Sequence, residues 1–237
     1  MKPCWLLTCL VLLLVSLPTA QADAQTRVLV GSSAALKPST GDQGYAYAIT
    51  RALAQRVGYT QPFEVMPWAR ALSIAEHDDN VLLIPTVRTP QRERSLQWIV
   101  PLLEDDYVLI SKGPVDTVPA HQPLVCVLRA SAALDLAARL GYTHLEEASD
   151  DLYNFMRLRD GHCKLWLGSQ HSSVLLIQHA GLKLTSFTIS PSLQHLNVYL
   201  AGSANLKPEE ALRWRAAFDA ISADGTLAAI RRKFQID

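Results

Sequence analysis

The chain lacks most of the marks that would make it an enzyme or a nucleic-acid binder. Its 22 Lys and Arg residues balance 22 Asp and Glu residues, so no basic surface is signalled and nucleic acid is excluded as a partner. No Gly-x-Ser-x-Gly elbow and no Gly-rich phosphate loop ending in Lys occur. The seven histidines are scattered, with His162, His171, His179 and His195 at no metal-ligand spacing, and no cysteine pair has zinc spacing. These histidines read as surface or satisfied polar positions; no metal, cofactor or catalytic group is expected. The acid pairs Asp105-Asp106 and Asp150-Asp151 are sequence neighbours. In a strand they point to opposite faces, and at a helix start they serve capping and the dipole, so neither reads as an acid/base couple. No short-period repeat is present.

Long apolar runs are equally scarce. The one such run covers residues 5–17, interrupted by Thr8, Cys9 and Ser16, preceded by Lys2 and ended by Pro18. Ala20-Gln21-Ala22 then supplies a small–x–small cleavage site. A positive start, a short apolar centre and that site define a secretory signal over 1–22, with cleavage before Asp23. The run falls short of the roughly 20 apolar residues of a spanning helix. Cys4 and Cys9 lie before or inside the run, which excludes lipid attachment just after it. Cleavage takes one lysine and no acid, leaving 21 basic against 22 acidic residues in the remaining 215 of 237 positions. A soluble periplasmic protein, not inserted in the membrane and monomeric, is expected.

Only Cys126 and Cys163 remain after cleavage. An oxidising compartment permits a disulfide, but each lies in an apolar, strand-like stretch, where a buried free thiol is the commoner state.

What is present is alternation. Residues 26–31 and 81–85 are β-branched or aliphatic runs, and 63–66 is a shorter one. Between them, 45–57 places Ile49, Leu53 and Val57 on one stripe, and Pro67 opens a helix over 68–76. Residues 107–111 form a further strand, and 112–123 a Pro- and Gly-bearing connector. The alternation then restarts: strand 124–128, helix 131–140, helix 150–159, strand 163–167, helix 173–179 and strand 197–201. Pro208 opens a long amphipathic stretch to Phe234, divided at Asp224-Gly225. The pattern predicts α/β units with mainly parallel sheets, and the long tail suggests one lobe inserted within another.

Three stretches, GYAYAITRALAQRVGY, MPWARAL and RTPQRERSLQWIVPLLEDDYVLIS, together with their spacing, resemble the family 3 extracellular solute-binding proteins, the amino-acid-type periplasmic receptors. VCVLRAS, LYNFMRLRDGHCKLWLG, LNVYLAGS and the closing FDAISADGTLAAIRRKF agree more loosely. The resemblance implies a two-lobed periplasmic-binding-protein fold of type II. Each lobe is a mainly parallel sheet flanked by helices, with 23–111 plus 197–237 as lobe one and 112–196 as lobe two. Two hinge strands near 108–112 and 196–200 join them, and a small-molecule ligand is buried by closure.

The same resemblance places Arg92 of Thr89-Pro90-Gln91-Arg92 as the ligand-carboxylate arginine, whose planar fork can make two parallel hydrogen bonds. Thr86 and Thr89 flank it and would complete an anion site. Trp68 corresponds to a cleft aromatic, and Ser131 to a helix start presenting N–H donors, although Ala130 stands where glycine is usual. Plainer roles compete: a solvated basic cluster with Arg88 and Arg94, helix caps at Thr89 and Ser131, a core indole at Trp68. Lys164 stands where an aspartate commonly holds the ligand's ammonium, and Leu36 and Ser33 stand near where an aromatic and an acid are often found. These departures imply an anionic ligand without an ammonium, such as a carboxylate or dicarboxylate held between Arg92 and Lys164. The partner is then an inner-membrane ABC permease. Two alternatives are a sensor docking on a membrane signalling protein and a dehydratase-like enzyme on the same scaffold; against the enzyme stands the lack of an acid or base near the cleft.

Overall fold

The computed structural model describes residues 25–32, 44–113, 123–234 and 236; the signal segment 1–22, Ser33, Leu36 and most of the 112–123 connector lie outside them. The strands are β1 Arg27–Gly31, β2 Glu64–Met66, β3 Val81–Val87, β4 Leu96–Ser111, β5 Val125–Leu128, β6 Leu145–Ala148, β7 Leu165–Ser169, β8 Thr188–Ile189 and β9 Gln194–Ser203. The helices are α1 Tyr45–Arg56, α2 Trp68–His77, α3 Ala132–Arg139, α4 Asp151–Arg159, α5 Gln170–His179, α6 Pro208–Ala223 and α7 Thr226–Phe234.

Among the described residues the strands run in the order β2-β1-β3-β9-β4-β7-β5-β6, with β8 on β4. Pairing is parallel within β2-β1-β3 and within β7-β5-β6, and antiparallel wherever β4 or β9 takes part. This is the two-lobed periplasmic-binding-protein fold: two parallel units with helices on both faces, joined through two long antiparallel strands.

Strand alternation decides which helices each unit holds. In β1, Val28 and Val30 pack with α1, α6 and α7, while Leu29 faces α2. In the second unit Val125, Val127, Leu165 and Leu167 face α3, whereas Cys126 and Trp166 face α4 and α5. Both faces of each unit are therefore apolar, which is why their strands read as continuous hydrophobic runs.

Several elements are longer than expected or additional, among them β8. β4 begins at Leu96, not at residue 107; Pro101, exposed within it, sits where the register slips, one of the few places a strand tolerates proline. β9 extends to Gln194–Ser203. The strand β6, Leu-Glu-Glu-Ala, was hidden by its polarity, which an edge position allows.

Cys126 and Cys163 are joined by a disulfide, with Cα atoms 6.0 Å apart across 37 residues of sequence. This corrects the expectation of buried free thiols. The reason is packing: Cys163, two residues before β7, turns into the same buried cluster as Cys126, Phe155, Leu158 and Trp166, which brings the two sulfurs together.

Removing the link should therefore cost stability. A Cys126→Ser, Cys163→Ser protein is expected to lose about 2–4 kcal/mol of unfolding free energy in urea titration. The chain without residues 1–22 should show no reactive thiol in denaturant until reductant is added. Two titratable thiols under those conditions would disprove the bond.

Candidate functional site

A cleft of about 360 Å³ opens between the two units. It sits where the C-terminal ends of β5 and β7 and the starts of α2, α3, α4 and α5 converge, the edge at which open α/β sheets take ligands.

Arg92 reaches the cleft from a short 3₁₀ turn, Pro90–Arg92, that follows β3. It is 7% exposed. Its Nη1 donates to the Val87 carbonyl at 2.9 Å and its Nη2 to the Ala130 carbonyl at 3.1 Å. The guanidinium carbon lies 5.3 Å from the Trp68 ring centroid, a cation–π distance. Burial lowers the Arg92 pKa below the usual arginine value. Two backbone acceptors leave part of its five-donor fork uncommitted, and no ion pair to it forms among the described residues.

Trp68 begins α2 directly after Pro67 and is buried on the cleft wall. Its Nε1 donates to the same Ala130 carbonyl at 3.0 Å. Gly31 makes this placement possible, because a Cβ there would lie 2.9 Å from Trp68 Cε3. Ser131 also lines the cleft, at the N-cap of α3, but its hydroxyl donates to the Leu128 carbonyl at 2.7 Å. The α3 end therefore offers the cleft backbone N–H groups without a free serine hydroxyl.

The remaining expected residues stand elsewhere. Thr86 is fully buried in β3, its hydroxyl bonded to the Leu83 carbonyl at 3.1 Å. Strand alternation turns it away from the cleft. Thr89 lines a smaller neighbouring recess of about 220 Å³ together with Arg88 and Arg139. Lys164 is exposed and precedes β7. The cleft is lined by Gly168 and Ser169 at the other end of that strand, about 16 Å away at 3.3 Å per residue. Lys164 therefore does not line the cleft, and the reversed charge it carries lies away from Arg92.

In its place the structure brings three groups that the sequence reading passed over. Asp105 of β4, 5% exposed, accepts from Ser169 Oγ, from the His171 backbone N–H at 3.2 Å and from the Asp106 N–H at 2.8 Å, and pairs with His171 Nδ1 at 3.0 Å. Hydrogen bonding to Asp105 raises the His171 pKa, partly offset by burial. Asp151, at the first position of α4, also lines the cleft. Burial, with some help from the Asp150 charge, pushes its carboxyl up to about 6, against the hydrogen bond from Asn154 Nδ2 at 3.0 Å and a weaker lowering by the Trp166 indole. The cleft thus does hold titratable groups, contrary to the expectation of no acid or base. The missed signal was position: residue 105 belongs to a long strand and residue 151 to a first helical turn beside a strand end.

Leu103, Leu128, Leu167 and Leu196 give the cleft an apolar lining beside the polar Ser169, Gln170 and Gln178. Such a cleft suits a small molecule with one acidic end and a nonpolar body. Among the described residues no group of three or more His, Cys, Asp or Glu is placed to hold a metal, and no helix is long and apolar enough to cross a membrane.

Solved structures similar to this chain share that architecture. A histidine kinase sensor domain with similarity to periplasmic binding proteins superposes with a TM-score of 0.75 at 20% identity, covering 88% of this chain and 95% of its own. An ancestral arginine-binding protein bound to glutamine gives 0.77 at 15% identity, covering 90% and 98%. The BvgS VFT2 domain of Bordetella pertussis gives 0.69 at 19%, covering 88% and 92%. No protein-family model matches the chain, and no curated protein matches its sequence. At these identities the likeness is one of fold.

The raised Asp151 carboxyl has a pH signature. Its folded pKa of about 6 exceeds the ordinary value, so the folded form holds the proton more tightly. Stability from this group is present at pH 4 and is lost as pH rises through 6. Asp151→Asn should therefore unfold like the parent at pH 4 and be more stable at pH 8, by up to about 3 kcal/mol. Equal urea midpoints at pH 8 would show that Asp151 is not held in its neutral form.

Proposed function

We propose that this chain is an exported, periplasmic solute-binding protein that captures a small carboxylate-bearing molecule by cleft closure and presents it to an inner-membrane ABC permease. The observation that carries the reading is Arg92: a buried guanidinium on a cleft wall, held by two backbone carbonyls and without a carboxylate partner among the described residues. Burying a charge is costly unless it is paired, and a ligand carboxylate is the partner that geometry admits. The nonpolar lining and the Trp68 face receive the ligand's body, and the first N–H groups of α3 lie beside Ser131.

In this reading residues 1–22 are the signal, 23–111 with 197–237 form lobe one, and 112–196 form lobe two. The swing is concentrated where β4 and β9 have only each other as ladder partners, residues 104–106 against 195–197. With Lys164 outside the cleft, the second contact to the ligand falls to the α3 and β7 ends instead. The bar against an amino group, which rested on that lysine, goes with it. Asp151 on the facing wall accepts a donor group of the ligand.

A second reading is favoured by one observation: the histidine kinase sensor domain among the similar structures spans nearly its full length on this chain. Docking of the closed form on a signalling protein uses the same cleft and differs only in the partner.

Calorimetric titration with small carboxylates and amino acids tests the site. Arg92→Met should weaken a carboxylate ligand on the order of 10- to 100-fold, the worth of charge-assisted hydrogen bonds. Lys164→Gln should leave affinity within about twofold, as expected for a rim or remote charge. An Arg92→Met protein that is folded and binds as tightly as the parent would refute the proposal.

A further inference from the structure

The Ala130 carbonyl receives two side-chain donors from the other half of the molecule. Arg92 Nη2 lies 3.1 Å from it and Trp68 Nε1 3.0 Å. Arg92 follows β3 and Trp68 opens α2, both in the β2-β1-β3 unit. Ala130 lies in the tight turn between β5 and α3, in the other unit. That turn is closed by Ser131 N–H donating to Leu128 at 3.2 Å and anchored by Arg129 N–H donating to Ala148 at 2.9 Å. Ala130 has φ of 56°, a left-handed conformation that a residue with a Cβ adopts only at a cost. Its peptide is thus held in an uncommon orientation that presents an oxygen across the cleft.

We infer that Ala130 is a positioning residue whose carbonyl forms an interlobe clasp with Arg92 and Trp68. This clasp populates the closed arrangement in the protein alone, before any solute is bound. The inference rests on the two-lobe, hinged reading given above. Three features make the clasp more than a passing contact. One oxygen serves two donors, and a carbonyl has two lone pairs to do so. One of the donors is a buried cation, so that bond is charge-assisted. The donors also brace each other, the guanidinium stacking over the indole at 5.3 Å, and Val87 fixes the other end of the guanidinium at 2.9 Å.

The clasp does not compete with a ligand acid. Arg92 has five N–H donors, and the Val87 and Ala130 carbonyls take two, so a carboxylate can bind while the clasp stays formed. Solute then adds to a closure already favoured, and the gap between closed populations with and without solute narrows. A receptor built in this way signals its presence as well as its cargo.

Small-angle scattering on the solute-free chain lacking residues 1–22, after exhaustive dialysis, tests this. The parent should show the radius of gyration of a compact 215-residue domain, about 17 Å. Trp68→Phe and Arg92→Met each remove one donor and should each shift the radius upward toward an open form. Ala130→Gly keeps the carbonyl and should match the parent. The clasp is supported if either variant, folded by circular dichroism, is larger than the parent. It is overturned if both folded variants keep the parent's radius, or if the parent itself contracts on adding a bound carboxylate as far as the variants do. Because no solute enters the first comparison, loss of the clasp and loss of carboxylate binding are told apart.

Discussion

The β4–β9 ladder is the constraint on which the rest of the molecule depends. These two antiparallel strands are the connection through which the β2-β1-β3 unit and the β7-β5-β6 unit share a sheet. β3 joins β9 from Val198 onward, and β7 joins β4 from Tyr107 onward. Between those points three residue pairs carry the ladder by themselves. Each unit packs most of its apolar residues on its own two faces, with Leu128 of β5 the buried side chain that joins the α2 cluster of the other unit. A cleft follows, because two largely separate bodies tied by a narrow two-stranded strip leave their facing edges unfilled. Those edges are the carboxyl ends of parallel strands, where helix N-termini and loop side chains gather.

What lies in the cleft is governed by the expense of burying charge. Arg92 is nearly inaccessible, yet its environment offers it backbone carbonyls and an aromatic face where a carboxylate would be usual. Carbonyl dipoles partly solvate a cation but do not cancel it. The guanidinium is held in place and left with charge to spare, which is the condition for a recognition group. A fully paired arginine at the same place would be structure and nothing more.

Much of the fold was legible in the sequence, and the site was so only in part. The apolar runs of β1, β3, β5 and β7 and the stripe of Ile49 and Leu53 carry the period of their elements, so units and their order could be read. Arg92, Trp68 and Ser131 come soon after strand ends and are brought to the cleft lining. Thr86, Thr89 and Lys164 are not, each for a geometric reason. Thr86 lies inside β3, where alternation alone decides its face. Thr89 stands on the far side of the 3₁₀ turn from Arg92. Lys164 was read within a strand 163–167, but it precedes β7; the two ends of such a strand are about 16 Å apart, and only the far end lines the cleft. The β4 strand was cut short because Pro101 and the acids at 104–106 break a hydrophobic pattern, and with it went any view of Asp105. The Cys126–Cys163 bond depended on both residues turning into one buried cluster, a long-range contact that no local pattern encodes.

The two buried acids of the cleft show how the same residue type takes opposite roles. Asp105 sits in the strip that joins the units and is engaged by a serine hydroxyl, two backbone N–H groups and an imidazole. A carboxylate so fully bonded is committed: it fastens the start of α5 to the joining strand, and Ser169, which it holds, also caps that helix through the Ser172 N–H. Asp151 accepts from Asn154 Nδ2 and is pushed up to about 6 by burial. Its proton is therefore exchangeable near pH 6. Of the two, Asp105 is a fixture of the frame on which the lobes turn, and Asp151 is the group whose charge answers to what enters the cleft. A hydrogen-bond donor beside Asp151 would favour its ionised form, the proton passing to solvent, just as an acid beside Arg92 would compensate the guanidinium. On the proposed reading, closure around a solute would compensate both groups.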